Sequence, residues 1–266
     1  MSYFKFKPLS LVLIFSTFTL VGCQTTAPLQ TDPSKAVQAR TQMAAEYIKN
    51  KQYDVAKREL DTALSINSRD SSANMMMGIL LQREGTADNR AKAEKYFKTA
   101  VSADPKNPQV RNNYGTYLYQ MGRYEDALEQ LQIASNALGY DQRFSAIETQ
   151  GLVYLKLGNQ ATAEKLFKQA LQINEYAYIS MIELAELNYL RNDVSSATKY
   201  YDNAVKLIGQ KNLDARALWV GIRIARANAN PLERQVLVNQ LRALYPDSPE
   251  YQRYLQLQYS TEVVWK

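Results

Sequence analysis

The chain has 266 residues, 46% hydrophobic and 22% charged, enough apolar material for a sizeable core, while its 10 glycines and 8 prolines are too few for an all-β or loop-rich protein. It contains no histidine and one cysteine, Cys23, which excludes a disulfide framework and a Cys–His nucleophile and removes the commonest general base and zinc ligand. A formal charge of +6 raises nucleic acid as a partner, an option that the N-terminal segment takes away.

Lys5 and Lys7 precede an apolar run from Pro8 to Gly22, short for a membrane span and suited to the core of a signal peptide. The run ends in Leu20-Val21-Gly22-Cys23, which resembles the bacterial lipobox. That resemblance implies cleavage between Gly22 and Cys23 and a diacylglycerol on Cys23, so residues 1–22 are expected to be a lipoprotein signal peptide. Acyl chains contributing about 0.8 kcal/mol per buried methylene would then hold the product on a bilayer. With Gln24 after the cysteine in place of aspartate, the implied location is the outer membrane, lipid-anchored and facing the periplasm. Loss of Lys5 and Lys7 leaves 30 basic against 26 acidic residues, and nucleic acid is not expected in that compartment. Residues 23–35 read as the lipidated N-terminus and a polar, proline-containing tether, whose stretch Gln24–Ser34 reaches at most about 36 Å when extended.

From residue 37 a pattern recurs at a spacing of about 34 residues. The first unit, 37–70, carries Ala44, Tyr47, Ala56, Leu60 and Ala63; the second, 71–107, carries Gly78, Leu81, Ala93, Phe97 and Ala100. The second needs three extra residues between its helices, near Gly85 to Asn89. Units 108–141 (Gly115, Leu118, Ala127, Leu131, Ala134) and 144–177 (Gly151, Tyr154, Ala163, Phe167, Ala170) are the most regular. A fifth, 178–211, keeps Ala185, Ala197, Tyr201 and Ala204. The sixth, 214–247, is degenerate, with Trp219 and Gly221, a break at Asn230-Pro231 and a close at Tyr245-Pro246-Asp247. A last helix from about Ser248 to Tyr259 would cap the series, leaving 260–266 as a tail.

Small residues where two helices cross, with bulky ones four apart on one face, resemble the tetratricopeptide repeat. The expected fold is therefore all-α: a right-handed superhelical solenoid of about six hairpins spanning 36–259, with a C-terminal capping helix. No P-loop or dinucleotide fingerprint is present and no carboxylate pair stands out, so neither an enzyme, a small-molecule substrate nor a cofactor is expected, apart from the lipid on Cys23. In that fold the first helix of each hairpin lines a concave groove through positions 2, 5, 9, 12 and 13. Its candidate residues here are Ile48, Met75, Ile79, Asn112, Tyr119, Leu152 and Leu155. An apolar groove with polar edges suits a peptide or helix of another protein. The Lys and Asn set with which some such proteins grip a terminal carboxylate is incomplete, since Thr116 occupies the ninth position of the third unit.

Three segments, VRNNYGTYLYQMGRYEDAL (110–128), ALWVGIRIARAN (217–228) and LRALYPDSPEY (241–251), resemble the type IV pilus biogenesis lipoproteins that act as secretin pilotins. The resemblance implies a partner, the pilus secretin, whose outer-membrane localisation and multimerisation such a protein promotes, and a process, pilus assembly and twitching motility. It also implies that the early repeats, with Ile48, Met75 and Ile79, present the secretin-binding groove. The alternative is a tetratricopeptide lipoprotein adaptor for peptidoglycan enzymes or for the outer-membrane β-barrel assembly machine.

Overall fold

A computed structural model describes residues 1, 32–261 and 265, so the lipobox, Cys23 and most of the expected tether lie outside the described residues. The remainder is a right-handed solenoid of antiparallel helical hairpins without a strand among the described residues. The hairpins are α1 (Pro33–Lys49) with α2 (Tyr53–Ile66), α3 (Ser71–Glu84) with α4 (Ala87–Ala103), and α5 (Pro108–Gln120) with α6 (Tyr124–Asn136). They continue as α7 (Arg143–Lys156) with α8 (Gln160–Ile173), α9 (Tyr178–Leu190) with α10 (Val194–Ile208), and α11 (Ala215–Ala227) with α12 (Pro231–Leu244). The capping helix is α13 (Pro249–Leu257). Starts are marked by side chains that take up orphan backbone donors: Asp70 accepts from Ala73 N, Thr86 from Asn89 N, and Asn107, Asn230 and Ser248 cap helices with proline in the first turn.

Within each hairpin the small residue of the first helix faces the bulky residue of the second. A Cβ on Gly115 would lie 2.6 Å from Leu131 Cγ, one on Gly151 2.5 Å from Phe167 Cε1, and one on Gly78 3.0 Å from Phe97. Glycine is therefore what lets the ring or branch lie against the backbone. Phe97, Leu131 and Phe167 are fully buried there, each contributing about 1.5–3 kcal/mol of transfer free energy. The sixth hairpin departs from the rule, because Gly221 of α11 is covered by Tyr201 of the preceding hairpin's α10. That exchange explains why this unit matches the repeat poorly in sequence.

Every hairpin turns through one left-handed residue. Gly85, Gly122 and Gly158 take φ of 75°, 74° and 77°, where glycine is unstrained, but the equivalent turns place Lys51 at 59°, Asn192 at 65° and Ala229 at 51°. The sequence places the three extra residues of the second unit between its helices, but they do not lengthen that loop. Only Gly85 and Thr86 separate α3 from α4, and the insertion is absorbed as additional helix at the start of α4, which runs for 17 residues against 14 in α3. The groove-lining helix α3 is left regular.

The apolar core has two principal bodies. One runs from Val37 to Val153 through the first four first-helices, and the other from Met181 to Trp265. The fourth hairpin's second helix lies at the seam, with smaller clusters around Phe167 and Ala170. Two ends differ in detail from the expected boundaries: α1 begins at Pro33, and within 260–266, Trp265 is 1% exposed and stacks on Trp219 with ring centroids 5.5 Å apart. Arg226 holds this return by lying 4.6 Å from the Trp265 ring centroid while donating from Nη2 to the Ser260 carbonyl at 3.0 Å.

Candidate protein-binding groove

The structure separates the expected groove positions into two groups. The fifth position of every hairpin is buried between neighbouring first helices: Thr41, Met75, Asn112, Glu148, Ile182 and Leu218 are all at or below 8% exposure. Met75 and Asn112 thus belong to the contacts between hairpins, Met75 accepting from Asn113 Nδ2 and Asn112 donating to the Tyr140 hydroxyl at 3.3 Å. Ile48 is likewise buried in the first hairpin. Ile79, Tyr119, Leu152 and Leu155 are half-buried and keep an accessible face. Ile79, on α3, is the part of the expected early-repeat surface that an incoming chain could touch.

Further along, the solenoid encloses a concave cavity of about 480 Å³ that collects Tyr119, Leu152 and Leu155 with Ile179 and Ile182 of α9. The superhelical turn sets the ends of α5 and α7 opposite the starts of α9, α11 and α13. Ile179 is exposed at 37%, the one large aliphatic chain on this wall left open to that degree. Beyond the cavity the groove closes: at the ninth and twelfth positions of the last two hairpins, Glu186, Tyr189, Ile222 and Ala225 are buried.

Charge sits in this wall and behind it. Arg216 Nε and Nη2 grip both oxygens of Glu183 at 3.0 and 2.8 Å, and Arg216 Nη1 lies 3.7 Å from Glu186. Burial disfavours the Arg216 charge, but hydrogen bonding to Glu183, with Glu186 and Glu250 nearby, more than offsets it and holds the guanidinium above the usual arginine range. Glu186 also accepts from Arg223, whose guanidinium lies 4.5 Å from the Tyr189 ring centroid and 5.5 Å from that of Trp219. Glu148 of α7, also buried, accepts from Ser180 N at 2.8 Å and Ser180 Oγ at 3.0 Å; burial raises its carboxyl above the ordinary range despite those bonds. The partners 183 with 216 and 186 with 223 lie about one repeat apart, and opposite charges at that spacing on apolar faces were the available sequence signal for this network.

Stacked hairpins with an accessible concave wall and a capped end define a tetratricopeptide-repeat protein, a scaffold that binds other proteins. Residues 86–150 and 145–176 match the tetratricopeptide repeat family. The type IV pilus assembly protein PilF of Pseudomonas aeruginosa is 33% identical over 240 residues, covering 88% of this chain and 93% of that protein. The structure of P. aeruginosa PilF superposes with a TM-score of 0.71 at 31% identity, over 84% of this chain and 98% of that one. PilW, a type IV pilus biogenesis factor, superposes at 0.68 with 25% identity, over 83% and 99%. A chain of the Cut9–Hcn1 complex reaches 0.70 at 16% identity, a likeness of fold alone. The chain belongs to the PilF family of type IV pilus assembly proteins.

Proposed function

We propose that this protein is an outer-membrane lipoprotein pilotin that binds the type IV pilus secretin and promotes its outer-membrane localisation and multimerisation. The observation that supports this reading most is the likeness to PilF across nearly the whole of both chains, which includes the degenerate sixth hairpin that a generic repeat does not require. Leu20-Val21-Gly22-Cys23 supplies the lipid anchor in this reading, and the half-buried Ile79 with Arg83 beside it on α3 supplies the secretin contact. The scaffold role follows from geometry: its first helices present side chains along a curved wall in fixed order, and the acyl chains keep that wall beside the membrane where the secretin assembles.

The test is deletion of the gene followed by membrane fractionation. Detergent-resistant secretin multimers in the outer membrane should fall sharply and twitching should stop; unchanged multimers would end the pilotin reading. Cys23→Ala should leave the protein uncleaved or release it from the outer membrane. Ile79→Glu combined with Arg83→Glu should abolish capture of purified secretin while leaving the far-ultraviolet circular dichroism unchanged.

A further inference from the structure

The late-repeat cavity lies away from Ile79, the contact assigned above to the secretin. Its floor is aliphatic and aromatic: Leu152, Leu155, Ile179 and Ile182, with Tyr119 and Tyr178 at the sides. At about 480 Å³ it is within the roughly 300–1,000 Å³ range of ligand-sized pockets, large enough for one or two apolar side chains. The Glu183–Arg216 pair in its wall is internally neutral. The charges that remain on the rim are Lys156 on the α7 side and Asp214 and Glu250 on the opposite side, at the starts of α11 and α13.

Asp214 accepts from Ala217 N at 2.8 Å, and Glu250 lies near enough to Arg216 to favour its charge; over the whole lining the carboxylates of Glu183, Asp214 and Glu250 outnumber Arg216 and Lys156 by one. A carboxylate-rich edge beside an apolar floor, on a chain in which basic residues outnumber acidic ones even without Lys5 and Lys7, is a local reversal of sign. It selects what lies down there: like charge facing the two carboxylates is disfavoured, and a cation next to an apolar side chain is matched on both counts.

We propose that this cavity is a second protein-binding site, which takes an extended segment of a partner that inserts a leucine-like side chain over Leu152, Leu155 and Ile182 and sets an arginine or lysine against Asp214 and Glu250. The site is separate from the secretin contact on α3. One solenoid then holds two protein segments at once, in fixed relation to each other.

Fluorescence anisotropy on the purified full chain tests this, with a fluorescein-labelled octapeptide alternating leucine and arginine and its leucine–glutamate counterpart. The arginine peptide should bind roughly tenfold more tightly, with the preference shrinking as salt is raised. Glu250→Lys should erase the preference and Lys156→Glu should enlarge it, a pair of opposite effects that a fold defect cannot mimic. Ile179→Asp, at an exposed position, should remove binding of both peptides. Secretin capture should be unchanged in Glu250→Lys. Equal affinity for the two peptides, no binding of either, or indifference to Glu250→Lys would overturn the proposal. Loss of secretin capture in Glu250→Lys would overturn the separateness of the two sites, while leaving the pilotin reading standing.

Discussion

In the first three hairpins, neighbouring first helices meet through Thr41, Met75 and Asn112, and ion pairs such as Lys57–Asp61 and Lys92–Asp88 lie out in solvent. In the last three, the same helices carry Glu148, Glu183, Glu186 and Arg223 inside. Both regions use the same repeat and the same crossing geometry, yet the late region spends desolvation on charge where the early region packs neutral groups. Apolar faces can slide by a turn and still be buried. A guanidinium between Glu186 and the Tyr189 and Trp219 rings has one place to go, so the late pairs fix which turn of α11 meets which turn of α9.

The largest expected effect breaks this contrast at its centre. Arg223→Ala leaves buried Glu186 with only the longer, 3.7 Å contact to Arg216 and should cost about 3 kcal/mol, a loss that Arg223→Met with Glu186→Leu should largely restore. Hydrogen exchange should show the loss in α9, α11 and α13, with α1 to α4 protected as before; uniform loss along the chain would show that the two core bodies are one cooperative unit.

The early region is challenged by Gly115→Ala, which sets a methyl group into Leu131 and should cost about 1–3 kcal/mol in chemical denaturation. A neutral result would mean that α6 can move away freely. Smaller and of opposite sign, Ala229→Gly relieves a left-handed residue at φ 51° and should stabilise by about 1 kcal/mol, read as a rise in Tm; Gly122→Ala, at φ 74°, should lower it by a similar amount.

The smallest effect is one of pH. Because burial raises the Glu148 carboxyl above its unfolded value, the native state binds the proton more tightly than the unfolded chain, so this group's stabilising contribution is full below the unfolded pKa and is lost as pH rises through the folded one. Glu148→Gln keeps an acceptor for Ser180 and should flatten the decline in stability from acid to neutral pH, measured by denaturant titration at each pH.

Much of the fold was legible because the repeat writes the same physical demand several times. Gly115 facing Leu131 and Gly151 facing Phe167 are local pairs inside one hairpin, and their spacing is visible along the chain. The substitution of Tyr201 for an in-hairpin partner at Gly221 was not, since it crosses a hairpin boundary. The placement of the second unit's insertion in a loop failed for a related reason: a count of residues does not say whether extra ones coil or continue a helix, and Thr86 capping α4 decides for the helix.

The exposure of the expected groove positions was legible only in part. Ile79, Tyr119, Leu152 and Leu155 keep an open face, whereas Ile48, Met75 and Asn112 occupy positions that the tight stacking of first helices covers. Whether a position faces a neighbour or the groove depends on how closely successive hairpins approach, and that is set by side chains about one repeat away. Glu183 with Arg216 and Glu186 with Arg223 are hidden in the sequence on the same account, each half being an ordinary helical surface charge when read alone.

The return of Trp265 onto Trp219 sets an order of events for a chain that emerges with its N-terminus first. The hairpins from α1 to α10 meet their partners within one repeat of sequence, so each can dock as soon as the next has appeared. The sixth hairpin cannot finish its own surface in this way, because the ring that covers α11 arrives only after α12 and α13 have passed. Until then the face of Trp219 that Trp265 covers stays open, and the assembling protein carries a sticky, apolar end that closes last.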